Sequence, residues 1–417
     1  MRSPYYGWFV VAALFVMLTV ASGLAFYNLS LYMSALVETR GYPVGSVSGA
    51  IALFFVASGL AGMVAARLLQ HHDPRLTITL GGVIGAVALL LLGRVSELWQ
   101  LYVVYAVFGV GHAFAALVPA TTLVTRWFST NRSVALSIAS TGLSLGGILL
   151  TPLSAGLIGR VGLEGATPLL AAVWFLGIVP ITALIVRAAP AAPPAVAGVG
   201  QAAPTDVLVD GWAYADAVRS RFFVLLTGAW ILCMGAQVGG ISHLYNLAAT
   251  RVDAGTGAAA VSFMATASII GRFVGGWLIT RMDTRLFALA CLASQAVATL
   301  LFAHAELRST LLAAAVLFGA TVGNLLMLQP LLIAEAFGVR DYGRIYSLGQ
   351  LLSTLGVASG PLVIGLLYDA AGGYTGAFMV AAAASSIAFV AVLAGGAMPS
   401  TTGPGTRGAA SANGTTA

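Results

Sequence analysis

Twelve runs of apolar residues, each about twenty residues or longer, dictate the architecture of this chain before any motif is considered. They cover approximately 7–36, 44–67, 76–94, 98–124, 132–159, 167–187, 221–250, 256–280, 286–305, 309–337, 340–368 and 374–395. A run of that length crosses the ~30 Å hydrocarbon core of a bilayer as a helix, with every backbone group satisfied inside the segment. Composition agrees: 59% of the 417 residues are hydrophobic and 8% are charged, far from the balance of a soluble domain. The sequence predicts an all-α membrane protein of twelve transmembrane helices. The first run is too long for a signal-peptide core and reads as a retained span.

Charge sets the orientation. The chain has no lysine, so all 19 cations are arginines. With the N-terminus inside, 13 of them fall on the cytoplasmic side, 5 on the outer side (Arg40, Arg94, Arg160, Arg251, Arg308), and Arg272 in the membrane. That bias predicts a multi-pass protein of a cell inner (plasma) membrane with both termini cytoplasmic. The arginines are scattered between spans, so the net charge of +6 does not point to nucleic acid. Cys233 and Cys291 lie in separate apolar runs without metal-ligand spacing and read as core residues; no metal or cofactor is expected.

Residues 188–220 form the one long interior break. It opens Ala/Pro-rich and closes with Asp210-Gly-Trp-Ala-Tyr-Ala-Asp-Ala-Val-Arg219, which reads as a cytoplasmic linker followed by a short amphipathic helix. This divides the chain into an N-terminal six-helix bundle (1–187), the linker, a C-terminal six-helix bundle (221–395) and a Ser/Thr/Gly/Ala tail (396–417) expected to be disordered. The halves echo each other. Phe128, Gly147, Pro152 and Gly156 recur as Phe337, Gly356, Pro361 and Gly365, each 209 residues on. Asp73 and Arg75 recur as Asp283 and Arg285 at an offset of 210. Two six-helix bundles related by a pseudo-twofold axis follow, the architecture of a transporter whose site lies near mid-membrane between the halves.

Arg272 is the exceptional residue. It sits well inside an apolar run, where an arginine costs roughly 2.5–3.5 kcal/mol on insertion scales and faces a bundle interior or an aqueous cavity. A guanidinium so placed can grip a carboxylate through two parallel hydrogen bonds. The bland alternative is a structural arginine that clamps helix-end carbonyls.

Tyr6-Gly7-Trp8, Arg126-Trp127-Phe128 with Arg132 and Ala135, and Phe337-Gly338, Tyr342-Gly343 and Gly360-Pro361 resemble the major facilitator superfamily, and within it the monocarboxylate porter and oxalate/formate antiporter branch. The resemblance covers about residues 5–395. It implies that Arg272 holds the substrate carboxylate from span 8. The chain departs from the pattern in two ways. Ser268 stands where animal monocarboxylate porters carry an aspartate. The lysines that the branch carries in span 1 or span 11 are absent, Gln350 lying near the place of the latter. One binding cation favours a monoanion over a dianion.

Counting depth at ~1.5 Å per residue places Arg272, Gln350, Thr141, His112 and Asn324 in one slab near the midplane. Ser268 shares the small, polar face of Arg272. These six are the candidate substrate-binding residues, with an interhelical hydrogen bond the alternative for Gln350 and a packed histidine the alternative for His112. Asn28, His243 and Asn246 lie nearer the outer surface and suit an outer gate. Asp73, Arg75, Asp283 and Arg285 suit a cytoplasmic clasp that stabilises one access state.

The expected function is secondary active transport of a small organic anion, a monocarboxylate, by alternating access, as a proton symporter or an anion exchanger. The expected partners are a small carboxylate, protons in the symport case and the lipid bilayer; the chain reads as a monomer. Uptake of a monoanion into a negative-inside cell is opposed by about 2.3 kcal/mol per 100 mV, which is why uptake needs a proton or a counter-anion. An exporter of a drug or neutral metabolite from the same superfamily is the alternative. An enzyme is not expected, because no paired nucleophile and base and no metal set appears.

Overall fold

Each apolar run becomes helix because nothing in the bilayer core competes for its backbone groups. The computed structural model describes residues 6–128, 132–186, 211–338, 340–396 and 398–399. The first half consists of α1 (Gly7–Arg40), α2 (Val44–His71), α3 (Pro74–Leu92), α4 (Leu98–Trp127), α5 (132–161) and α6 (163–185). The second consists of α7 (Arg221–Arg251), α8 (Ala254–Ile279), α9 (Thr284–His304), α10 (Arg308–Phe337), α11 (Tyr342–Ala371) and α12 (Tyr374–Ala394). Among the described residues, 11 helices are long and apolar enough to cross a membrane. One of them, Val134–Ile185, has 52 residues, about 78 Å of helix. It breaks at Gly162, whose φ of 70° and ψ of 172° turn the chain back, so α5 and α6 are two crossings joined without a loop.

Two further helices are interrupted. In α1 the residues Ser22–Tyr27 form a π-helical turn between Gly7–Ala21 and Asn28–Arg40. The Leu24 carbonyl in this turn accepts the Tyr32 hydroxyl at 3.0 Å. In α4 the backbone leaves helical geometry at Ala116 (φ −115°, ψ −132°).

The internal repeat is visible in how helices touch. In the first half α1 packs along α5 and α2 along α4; in the second α7 packs along α11 and α8 along α10. Small residues make these contacts close. A β-carbon on Gly109 of α4 would stand 2.3 Å from the Phe54 carbonyl oxygen of α2, and one on Gly319 of α10 would stand 2.2 Å from the Met264 carbonyl oxygen of α8. Both members of this pair are displaced by 210 residues, the offset seen in the sequence. Across the halves, α2 meets α11, α5 meets α8 and α1 meets α7.

The four residues expected to form a cytoplasmic clasp each bond within their own half in this structure. Asp73 and Asp283 cap α3 and α9, accepting from Arg75 N at 2.9 Å and Leu286 N at 2.9 Å. Arg75 donates from Nε to the Val186 carbonyl at the end of α6 at 2.5 Å. Arg285 donates to the Val392 and Leu393 carbonyls at the end of α12 at 3.0 and 2.8 Å. The physical reason is the unsatisfied carbonyls at a helix C-terminus, which attract a cation more closely than a distant carboxylate does.

Of the linker, residues 187–210 lie outside the described residues, as does the tail from 400 on. The short helix is present at Tyr214–Arg219. It docks on the ends of α10 and α11: Trp212 N donates to the Phe337 carbonyl at 2.9 Å, Tyr214 N donates to Asp341 at 2.9 Å, and the Arg344 guanidinium lies 4.5 Å from the Tyr214 ring centre.

Candidate substrate site

We call the end of the bundle bearing Gly7 proximal and the end bearing Arg40 distal. Between α5, α8 and α10 a cavity of about 140 Å³ is lined by Ser137, Ser140 and Thr141, by Ile269, Arg272 and Phe273, and by Met327. Arg272 reaches it along α10 at Gly323, where a β-carbon would come within 2.4 Å of its Cγ and 2.5 Å of its Nε. Only glycine leaves that path open. The buried Nε has no hydrogen-bond partner. Among the described residues its one electrostatic neighbour is Tyr27, and no carboxylate faces it. A half-buried cation in this condition has lost hydration without recovering it from the protein.

Tyr27 stands distal to the cavity, outside its lining. Its ring lies against Gly147 of α5, where a β-carbon would stand 2.9 Å from the ring and 3.0 Å from Ala265 of α8. Its hydroxyl faces Ser144 and Arg272. The π-helical turn places it there. Two hydroxyls at this level, Ser144 and Ser268, are fully buried, Ser144 facing Tyr27 and Ser268 without a partner. Ser140 and Thr141 donate to the Ser137 carbonyl at 3.1 and 2.9 Å, leaving their oxygen lone pairs free.

The structure thus brings together on the cavity wall two of the expected binding residues, Arg272 and Thr141, and adds Ser137 and Ser140, with Ser144 and Tyr27 beside it. The other four are placed elsewhere. Asn324 donates to the Gly271 carbonyl at 2.9 Å and the Ala320 carbonyl at 2.8 Å, stapling α8 to α10 and lining a separate crevice with Cys291 and Phe287. Ser268 is buried beside the site and does not line the cavity. His112 packs between α2 and α4, 3.2 Å from Ser58 Oγ and 5.3 Å from the Phe54 ring centre. Gln350 is exposed and accepts from the Tyr346 hydroxyl at 3.2 Å within α11. Counting residues fixes depth and leaves azimuth open, so all four were legible as mid-depth polar groups but not by the direction they face.

At the distal end the halves are joined by hydrogen bonds. Ser30 Oγ of α1 accepts from Tyr245 N at 2.9 Å and Asn246 N at 3.3 Å on α7. Asp369 of α11 caps α2, accepting from Gly45 N at 2.7 Å. His243 lies 3.2 Å from Ser48 Oγ, 3.0 Å from the Pro361 carbonyl and 3.1 Å from the Tyr374 hydroxyl, and Asn246 donates to that hydroxyl at 2.6 Å. Toward mid-membrane Ser262 of α8 donates to the Ile148 carbonyl of α5 at 3.3 Å. These hydrogen bonds between the halves run from the distal end to mid-membrane. Asn28 is not among them: it donates to Ser154 of α5 at 2.8 Å, within its own half. Ser30, one face further round, makes the crossing.

A twelve-crossing helical protein, built twice over and joined at one end above a cavity between its halves, is a membrane transporter in architecture. Residues 15–252 and 240–413 match the Major Facilitator Superfamily, and the chain belongs to that family. Similar proteins include bovine monocarboxylate transporter 13, 26% identical over 91% of this chain and 86% of that one. Human monocarboxylate transporter 11 is 28% identical over 90% of this chain and 80% of that one. The Aspergillus flavus "MFS transporter asaE" is 25% identical over 75% and 69% respectively. Among solved structures, a bacterial homolog of the human lysosomal transporter Spinster, inward-facing and occupied, superposes with a TM-score of 0.70 at 16% identity, covering 94% of this chain and 96% of that one. The nucleoside transporter NupG gives 0.69 at 15% identity, covering 93% and 99%.

Proposed function

We propose that this transporter carries a small monocarboxylate by alternating access, with Arg272 as the carboxylate receptor. The observation that carries the reading is the unpartnered, half-buried Arg272 guanidinium on a cavity wall between the halves. An anion there restores the hydrogen bonds and the charge balance that the site lacks, which lowers the cost of closing the cavity around it. Tyr27, Ser140, Ser144 and Thr141 orient the bound group. Ile269, Phe273 and Met327 accept its apolar part, and a single cation set against that wall suits one negative charge rather than two. The similarity to monocarboxylate transporters supports the same substrate class.

The proximal end is read as cytoplasmic and the membrane as the cell inner membrane, on the arginine bias. The distal contacts around Ser30, His243, Asn246 and Asp369 then form an outer gate, closed here, with the site reached from inside. Rocking the halves apart at that gate exposes the cavity to the outer face. Uptake proceeds with a proton or against a second anion, since the membrane potential opposes entry of a lone monoanion. The exporter reading keeps one support, the apolar lining of the cavity together with fungal relatives named as efflux or MFS-type transporters.

The test is thermal unfolding of purified protein against a panel of mono- and dicarboxylates, wild type beside Arg272→Gln. A ligand at 100 times its Kd stabilises by about 2.7 kcal/mol. A monocarboxylate that stabilises wild type and not the variant is the expected result. Stabilisation by neutral or cationic compounds alone would transfer the assignment to the exporter.

A further inference from the structure

His243 has no part in holding the anion, yet it is fully buried and contacts partners on three other helices from both halves. The geometry assigns its protonation state. Nε2 faces the Pro361 carbonyl, which can only accept, so Nε2 carries the hydrogen. Ser48 Oγ donates to the Val44 carbonyl at 2.7 Å and offers its lone pairs to the same Nε2–H. On the other side, Tyr374 accepts from Asn246 and therefore turns its own O–H toward Nδ1. Nδ1 receives that hydrogen bond as a lone pair. The neutral imidazole satisfies the closed gate on every side.

A second proton on Nδ1 breaks this arrangement. Two donors, Asn246 and Nδ1–H, would meet the Tyr374 oxygen, and its O–H would have no acceptor. Nor does any carboxylate among the described residues touch the ring. On its own helix Tyr245 and Arg251 are the titratable neighbours, and Arg251 is a cation that approaches Tyr374 through Thr375, 3.3 Å away. On α11 Tyr368 flanks Tyr374, and Asp369 spends an oxygen on Gly45 N of α2. On α12 stands Tyr374, and α2 presents only the Ser48 hydroxyl. Glu38 of α1 faces Tyr245 at the outer end.

We propose that His243 is a proton-binding site of the outer gate: the gate closes on the neutral imidazole, and the protonated imidazole holds it open. Acid outside the cell therefore draws the carrier toward its outward-facing state, where an external anion can enter. The inference rests on the gate reading above and is independent of which carboxylate is carried. The proton binds when the gate is open and leaves to the outside as it closes, so the site senses outer acidity without itself ferrying the proton inward.

The test places spin labels at Glu38→Cys and Leu307→Cys, exposed distal positions on opposite halves, in nanodiscs; Cys233 and Cys291 are buried. Pulsed dipolar spectroscopy then reads the ratio of separated to apposed distal ends. For a histidine of ordinary pKa near 6.5 in the open state and none titrating in the closed state, the ratio rises about thirtyfold from about pH 8 to about pH 5. In His243→Gln, whose amide can still bond but cannot take a proton, the ratio is flat. Tyr374→Phe keeps the imidazole but removes the hydroxyl that opposes a proton on Nδ1 in the closed gate, so the closed state takes the proton more readily and the span shrinks. Gly365→Leu serves as the gate control, because a β-carbon there would lie 2.2 Å from Ser48 Oγ and wedge the halves apart at either pH. If Gly365→Leu separates the ends while the wild-type ratio ignores pH, or if His243→Gln keeps the full span, the proton site is overturned and the gate stands. If Gly365→Leu leaves the ends apposed, the gate reading falls and the proton site with it.

Discussion

Gly323→Ala is the substitution that interrogates the site most sharply, because it alters no candidate ligand. A β-carbon there would stand 2.4 Å from Arg272 Cγ, 2.5 Å from its Nε and 2.8 Å from the Ser268 carbonyl oxygen. Either the arginine stem leaves its path or α8 and α10 separate, and overpacking of this kind costs about 1–3 kcal/mol. A guanidinium pushed off the cavity wall loses a charge-assisted hydrogen bond to the anion, about 1.5–3 kcal/mol. At about 1.4 kcal/mol per factor of ten, that is a Kd roughly 10- to 150-fold weaker. Titration calorimetry with the carboxylate that stabilises wild type measures it. Gly276→Ala, with no atom within 4 Å of the added carbon, leaves Kd unchanged. In an Arg272→Ala background the stability cost of Gly323→Ala shrinks to what the Ser268 contact alone imposes, a coupling that a double-mutant cycle isolates. A folded Gly323→Ala protein that binds like wild type would refute the placement of Arg272.

Other expectations follow from single contacts. Arg285→Ala removes the donors to the Val392 and Leu393 carbonyls and lowers stability by about 1 kcal/mol, seen as a lower Tm with carboxylate affinity unchanged. Gln295→Ala strips partners from the Cys233 carbonyl, Gln237 and Ser385, and costs about 1–3 kcal/mol in the same melt. Asp253, capping α8, is held below the usual carboxylate range first by the Thr256 backbone N–H and then by the Thr256 hydroxyl. A depressed folded pKa gives stability that is present at neutral pH and lost as pH falls through the folded value, below about pH 4. Asp253→Asn therefore flattens the acid limb of a Tm-against-pH curve, and an unchanged limb would contradict the cap.

The membrane-spanning helices were legible in the sequence because length and hydropathy alone decide whether a segment crosses. The repeat was legible too, since the 210-residue offset that pairs Asp73 with Asp283 also pairs Gly109 with Gly319 in the packing. Arg272 announced itself by its cost. What stayed hidden was azimuth. Asn324 and Thr141 are both polar and mid-depth, yet one turns into a helix–helix seam and the other toward the cavity. In α1 depth alone singles out Asn28 near the outer surface, and only the phase set by the π-helical turn at Ser22–Tyr27 shows that Ser30 makes the crossing. The reversal at Gly162 was legible as the gap between the runs ending at 159 and starting at 167, whereas its making by one left-handed residue with no loop was not.

That π-helical turn gives α1 two independent phases. Asn28 N–H bonds to the Gly23 carbonyl, five residues back, so the turn absorbs one residue that a regular helix would count as about 100° of rotation. Proximal to it, Ser22 and Gly23 are keyed to Leu143, Gly146 and Leu150 of α5; distal to it, Ser30 is keyed to the opposite half. Deleting a single residue from this segment would let the helix run regular with both Ser22 and Ser30 kept in their seats. Drawing the turn into regular helix with no residue removed would instead swing Ser30 through about a quarter-turn, while Ser22 stayed put. The distal third of α1 can thus be re-aimed like the far end of a jointed rod, without disturbing the part anchored in its own half.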